Sequence, residues 1–266
     1  MKISRIRAVF FSPTGTTEDV VRAMVRAGGA VPVEMIDITT PASRKRRLEV
    51  RDDELLIAGA PVYMGRVPSL TREFFASLKA DNSPAVPVVV YGNRAFENSL
   101  LELSDMLKER GCVIAGAAAF VGEHSFSSAE RPIASGRPDQ DDLALAGEFG
   151  RLLMEKLISA SSAGAIGSGP VPGVRPYGGT TQIWDEDFIA LKDSCRQCGL
   201  CASVCPAGAV DPGNAAAVDT VKCVTCCACI KKCPARAKEM KPGKVMEASV
   251  RLNSLFSEPK KSIYFI

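Results

Sequence analysis

The chain has no run approaching the roughly 20 apolar residues that span a bilayer. Its amino terminus, Met1 to Phe11, is basic, but its apolar run is too short for a secretory leader and carries no small-residue cleavage site. A soluble, cytoplasmic protein without a membrane span is therefore expected. Two nucleotide motifs are also missing, the lysine-bearing Walker loop and the G-x-G-x-x-G turn, so neither ATP nor a nicotinamide cofactor is indicated. No strong charge of one sign exists either, since 33 Lys and Arg face 30 Asp and Glu. Residues 1–180 hold 21 of each sign and residues 181–266 hold 12 and 9, so the excess lies in the last third.

What the chain does have is patterned cysteine. Eight of its ten cysteines form two runs, Cys195-x2-Cys198-x2-Cys201-x3-Cys205-Pro206 and Cys223-x2-Cys226-x2-Cys229-x3-Cys233-Pro234. This is the spacing of bacterial [4Fe–4S] sites, in which the fourth cysteine of each run serves the cluster of the other. Cys195, Cys198, Cys201 and Cys233 are thus assigned to one cluster, and Cys223, Cys226, Cys229 and Cys205 to the second. Disulfides do not explain metal-type runs in a chain without secretion signals. Zinc needs four ligands per site and calls for neither the third spaced cysteine nor the closing proline. Each filled site adds about −2, which takes the last third from +3 to about −1 and removes any case for nucleic acid. Cys227 interrupts the second run and reads as a spare thiol, and Cys112 as a small core residue.

Upstream, apolar runs at 3–11, 31–37, 55–60, 86–91 and 112–121 read as strands. Helical spacing at 16–27, 69–79, 95–110 and 140–158 alternates with them. The pattern predicts a parallel sheet with helices on both faces. The first turn, Ser12-Pro13-Thr14-Gly15-Thr16-Thr17, gathers hydroxyls and amides at a helix N-terminus, where a phosphate fits; a hydroxyl-rich helix cap is the alternative.

Phe11 to Thr17 closely resembles the FMN-phosphate loop of flavodoxins, and residues 1–160 follow their strand pattern. Residues 188–240 resemble a two-cluster ferredoxin, so the whole resembles the flavodoxin–ferredoxin fusion proteins of anaerobic bacteria and archaea. The resemblance implies a flavodoxin-like, doubly wound five-stranded parallel sheet of order 2-1-3-4-5, with a C-terminal α+β ferredoxin-like domain. It implies FMN held by Ser12, Thr14, Gly15, Thr16 and Thr17, by Pro61, Val62, Tyr63, Met64 and Gly65, and by Gly92, Asn93, Arg94 and Phe96. Tyr63 and Phe96 would face the flavin ring, with packing under a surface loop as the alternative for both. Arg66 and Arg94 depart from the acidic loops of simple flavodoxins and imply a less extreme flavin potential.

His124, the single histidine, follows the last strand on the ligand edge, where it would supply a proton to reduced flavin or substrate; a surface histidine is the alternative. Arg44 to Arg47 reads as a solvated loop, or as a docking site for an acidic partner. The Gly-, Ser- and Pro-rich stretch from 159 to 181 is either a wrap over the flavin domain or a mobile tether. Residues 235–244 read as solvated surface. The expected division is 1–160 flavin domain, 161–184 linker or wrap, 185–240 ferredoxin domain and 241–266 a tail returning to a core.

Clusters beside a flavin suit an electron-transfer protein that couples one-electron to two-electron steps, with a redox protein such as a ferredoxin as donor or acceptor. The alternative is an FMN-dependent reductase of a quinone, enone or nitro compound fed by its own clusters. A third reading is oxygen or peroxide detoxification in an anaerobe.

Overall fold

The structure, a computed structural model, describes residues 1–167, 169–181 and 184–266. Ser168, Gln182 and Ile183, which fall within the expected linker, lie outside the described residues.

The first half is a doubly wound sheet. Its strands are β1 (Arg5–Phe10), β2 (Val33–Asp37), β3 (Glu54–Pro61), β4 (Ser83–Tyr91) and β5 (Ala117–Val121), parallel and in the order β2-β1-β3-β4-β5. The central strands β3 and β4 are buried along almost their whole length, which is why they read as unbroken apolar runs. Glu54 opens β3 at 1% exposure and is held by the Arg7 guanidinium at 2.9 Å, so its charge is paired rather than stranded. Helices α1 (Thr16–Ala27) and α4 (Gln140–Ser159) cover one face through Val20, Val21, Met24, Phe149 and Leu153. Helices α2 (Arg72–Ser77) and α3 (Ser99–Lys108) cover the other through Phe74, Phe75, Leu100, Leu103 and Leu107. Asp139 caps α4 with a capping box to Asp142.

Three expectations change. The fifth strand is broken, because Ile114 faces Ala85 while Ala118 faces Val88, leaving one extra residue on the outer strand. Pro87 lies in the interval and has no N–H to give, and the strand bulges past it at Ala115–Gly116. The helix expected from residue 95 begins only at Ser99, since Asn93 and Glu97 both adopt left-handed backbone in the preceding loop. The sheet is also not purely parallel. The strand β8 (Ile263–Phe265, introduced below after β6 and β7) pairs antiparallel with β5 and covers the edge of the sheet.

The cysteine-rich part is a small two-fold repeat. Strand β6 (Ile189–Leu191) leads to the first run and helix α5 (Leu200–Ser203). The second run carries α6 (Ala228–Lys231) and ends in β7 (Lys238–Met240), antiparallel to β6. Residues 235–244, expected to be solvated, thus contribute a strand. Equivalent positions repeat the same backbone: Gln197 and Thr225, Gly199 and Cys227, and Gly208 and Arg236 all have positive φ. Helix α7 (Lys244–Leu255) then carries the chain back to the doubly wound sheet, which β8 joins. Tyr264 of β8 stacks on Phe149 at 4.9 Å.

The 171–181 stretch is a wrap. Val174 N–H donates to Asn98 Oδ1 at 2.7 Å, Arg175 grips Asp105 at 2.8 and 2.5 Å, and Tyr177 hydroxyl reaches Asp105 at 2.5 Å. Arg66 lies over the Tyr177 ring at 5.2 Å. No helix among the described residues is long and apolar enough to cross a membrane.

Candidate functional site

The carboxyl ends of β1, β3, β4 and β5 open onto a cavity of about 660 Å³. Thr14, Thr16, Pro61, Val62, Tyr63, Met64, Gly65, Gly92, Arg94 and His124 all line it, so three loops and the histidine come together. Ser12, Gly15 and Thr17 lie behind this wall in the first turn. Gly15 needs its φ of 103°, and as N-cap of α1 it offers the helix no side-chain acceptor. Ser12 braces the turn, its N–H donating to Thr39 Oγ1 at 2.8 Å and its Oγ accepting from Glu18 N–H at 3.0 Å. Thr17 is 1% exposed and its hydroxyl has no hydrogen-bond partner among the described residues. An orphaned buried hydroxyl beside a helix N-terminus whose N-cap glycine offers no side-chain acceptor fits an anion such as a flavin phosphate.

Two expected contacts are corrected. Asn93 is 2% exposed and is spent on the C-terminal segment, its amide donating to Phe256 and Glu258 carbonyls at 2.6 and 3.0 Å while Lys260 N–H donates to its Oδ1 at 2.9 Å. Phe96 packs edge-on to Tyr91 at 5.6 Å and against the core, outside the cavity wall. The basic loops also change meaning. Arg66 makes paired bonds to Glu102 at 2.9 and 2.7 Å, and Arg94 is paired with Glu97, so neither leaves uncompensated positive charge at the flavin loops.

His124 is half-buried, its ring against Phe126 at 4.9 Å, and a Cβ on Gly92 would meet its Cδ2 at 2.3 Å. Burial, then the charges of Lys231 and Arg94, push its pKa down from 6.5 to about 4. Its Nδ1 accepts from Phe126 N–H at 3.0 Å, so the proton of the neutral ring sits on Nε2. At neutral pH His124 is therefore a hydrogen-bond donor, not an imidazolium acid. Between about pH 6.5 and 4 the unfolded chain takes up a proton that the folded chain refuses, and stability falls as pH drops through that window. Lowering the pH from 7.5 to 5.5 is expected to cost about 1 kcal/mol, discounted for the exposed part of the ring. Thermal melts of the wild type and His124→Asn check this: the variant should lose most of that pH slope, and equal slopes would refute it.

The remaining walls were not legible beforehand. Phe126 and Trp184, with Leu252 and Leu255 of α7 and Phe256 just beyond it, close the cavity on its apolar side, and Val224 and Thr225 close it from the cysteine-rich part. Tyr63 and Leu70 pack on Val224, Cys226 and Ala228. Burial, then the thiols of Cys226, Cys227 and Cys223, hold the Tyr63 hydroxyl well above its ordinary pKa. Arg44 is the other correction: rather than a solvated loop residue, it bridges the two parts, donating to Thr39 and Pro206 carbonyls, each at 2.6 Å. Lys231 adds an ion pair to Glu123, next to His124.

Cys195, Cys198, Cys201 and Cys233, three from one run and the fourth from the other, line a cavity of about 270 Å³. Burial, with a smaller contribution from the repulsion of neighbouring thiols, pushes Cys226 well above the ordinary range and Cys229 up to about 12, and Cys205 is among the neighbours acting on Cys223, Cys226 and Cys229. Thiols that repel so strongly when ionised fit a site where metal takes the place of their protons. Cys205 and Cys233 accept amide bonds from Ala209 and Ala237 at 3.2 and 3.3 Å, donors of the kind that orient and tune a cluster ligand. Among the described residues no three His, Cys, Asp or Glu side chains converge as ligands of a single ion do. Cys227 turns away, packing with Phe188 and Val245. Burial pushes the Cys112 thiol up to about 12.

Residues 188–244 match the family described as a 4Fe-4S dicluster domain. A flavodoxin from the domain Archaea aligns at 14% identity over 58% of this chain and 99% of its own, with a TM-score of 0.41. Two-electron reduced Megasphaera elsdenii flavodoxin aligns at 17% over 56% and 98%, TM-score 0.38. The apo form of an NADH:FMN oxidoreductase aligns at 14% over 61% and 94%, TM-score 0.42. No curated protein matches the chain. The chain joins a flavodoxin-like α/β domain to a 4Fe–4S dicluster domain.

Proposed function

We propose that the protein is an iron–sulfur flavoprotein passing electrons between two [4Fe–4S] clusters and FMN, the clusters exchanging single electrons and the flavin one or two. One observation carries this reading. Val224 and Thr225, from the loop bearing Cys223 and Cys226, line the same cavity as the phosphate-loop residues Thr14 and Thr16. The set of Cys223, Cys226, Cys229 and Cys205 is therefore the inner one. The set of Cys195, Cys198, Cys201 and Cys233 is the outer one, and its Cys198 is exposed where a redox protein such as a ferredoxin can dock. Thr14, Thr16 and Thr17 hold the phosphate, and Tyr63 separates the cavity from the inner cysteines. His124 holds an N–H against the group that gains charge, while Trp184, Phe126 and the apolar face of α7 exclude water.

A second reading, reduction of a quinone, enone or nitro compound, is favoured by the cover that α7 and the wrap place over the cavity. A partly covered chamber admits small molecules and favours the outer cysteines as the site for protein-sized partners. Purification under anaerobic conditions, with iron, sulfide and flavin measured on one sample, tests the central proposal. About eight irons per chain and one FMN are expected. Zinc without sulfide, or a chain that takes up no flavin, would overturn it.

A further inference from the structure

The two halves of the cysteine-rich repeat share their four spaced cysteines, the closing proline and the alanines that donate to Cys205 and Cys233, and they differ at the very next residue. Immediately after Ala209 stands Val210, 5% exposed and part of the apolar cluster around Cys205 and Cys229. Immediately after Ala237 stands Lys238, buried just as deeply at 4% exposed. A core position that one half fills with valine is filled in the other by a lysine. Its backbone is fixed in β7 opposite Leu191, so the side chain is held in place by the fold.

That lysine has no acceptor of its own. Its Nζ is buried with no hydrogen-bond partner among the described residues, and no carboxylate there pairs with it. A buried ammonium without acceptors is among the costliest arrangements in a protein interior, unless a charge of opposite sign lies close by. The surroundings supply that charge only when the cysteines are ligated. Lys238 lines the cavity of Cys195, Cys198, Cys201 and Cys233. It also reaches the other ligand set. Its strand β7 packs against α6, the helix that carries Cys229 of that set.

We propose that Lys238 is the built-in counter-charge of both iron–sulfur sites, its ammonium lying between the two ligand sets and favouring the reduced form of each bound cluster. An oxidised cube with four thiolates carries about −2, and one added electron takes it to about −3, so a nearby positive charge stabilises the product more than the reactant. The effect is shared because the residue is shared. Val210, at the matching place, contributes no charge, so one side chain compensates two sites. This inference rests on both sites holding clusters, and the test separates the two claims.

The experiment is an anaerobic potentiometric titration of the full chain, followed by the electron paramagnetic resonance of the reduced clusters, on wild type, Lys238→Met and Lys238→Arg. Iron and sulfide are counted on every sample. In the methionine variant the equilibrium constant for reducing each cluster should fall about tenfold, which is about 59 mV for a one-electron couple. The arginine variant should keep potentials close to wild type. A methionine variant that loses clusters while the arginine variant retains them also supports the charge, as a requirement for assembly. Unchanged potentials in a fully loaded methionine variant overturn the proposal, as do equal shifts in both variants or loss of clusters from both, which would make the role one of shape. A wild type with only about four irons refutes the two-cluster premise itself.

Discussion

Replacing Cys205 by alanine is expected to empty the site built by Cys223, Cys226 and Cys229, and to spare the site of its own run. Cys205 is 8% exposed and buried with Cys229, whereas the cavity lined by Cys195, Cys198 and Cys201 takes its fourth cysteine, Cys233, from the second run. Iron should drop from about eight to about four per chain. FMN should still bind, because its phosphate loop is formed by α1 and β1, but a protein donor at the outer site should no longer reduce it. A double variant sharpens the result. If ligation is crossed, Cys198→Ala combined with Cys205→Ala strikes both sites, and almost no iron remains. If each run holds its own cluster, the pair strikes one site and about four irons survive. Iron and sulfide assays decide between these outcomes without any knowledge of the substrate.

The 4Fe–4S dicluster segment was legible because its cysteines are locally spaced; which cluster Cys205 and Cys233 each serve is what the iron counts decide. The buried parallel strands were legible for a related reason: β3 and β4 are covered on both faces and show it as continuous apolar runs, whereas the strand order came only from the resemblance. What escaped sequence reading was set by distant partners. Ile263–Phe265 is three residues long, and nothing in it declares that it will cover the edge at β5. Asn93 sits among flavin-loop residues, yet its side chain is claimed by carbonyls from Phe256 and Glu258. Arg44 looked like part of a solvated basic run, because the Pro206 carbonyl that orders it lies in the other domain. Lys238 looked like one surface charge among several in a lysine-rich stretch, and only pairing with β6 takes it inside. Trp184 and Leu252 carry no motif at all; they become part of the site because the wrap and α7 return to it.

That return makes α7 the place where the two readings of function part. Leu252 lines the chamber from a helix anchored on both sides, by Ser249 hydroxyl to the Phe126 carbonyl at 2.9 Å and by Asn253 to the Pro132 carbonyl at 2.7 Å. The residue is only half-buried, so Leu252→Trp grows into the chamber rather than into a packed core, and the overpacking cost of about 1–3 kcal/mol that a closed interior would impose is largely avoided. Iron, sulfide and FMN content should match wild type, and so should reduction of the flavin by a donor acting at the outer cysteines. Turnover of a small quinone or nitro compound should fall at least about tenfold, since a filled site loses substrate positioning worth more than one or two kcal/mol. Leu255→Trp, one turn along the same wall, should do the same, and agreement between the two excludes a local distortion. If small-molecule turnover survives both substitutions while the flavin is still reduced, the chamber is not where the acceptor reacts. Electrons would then leave by the outer cysteines, and the protein would be a carrier whose chamber serves only to keep its flavin dry.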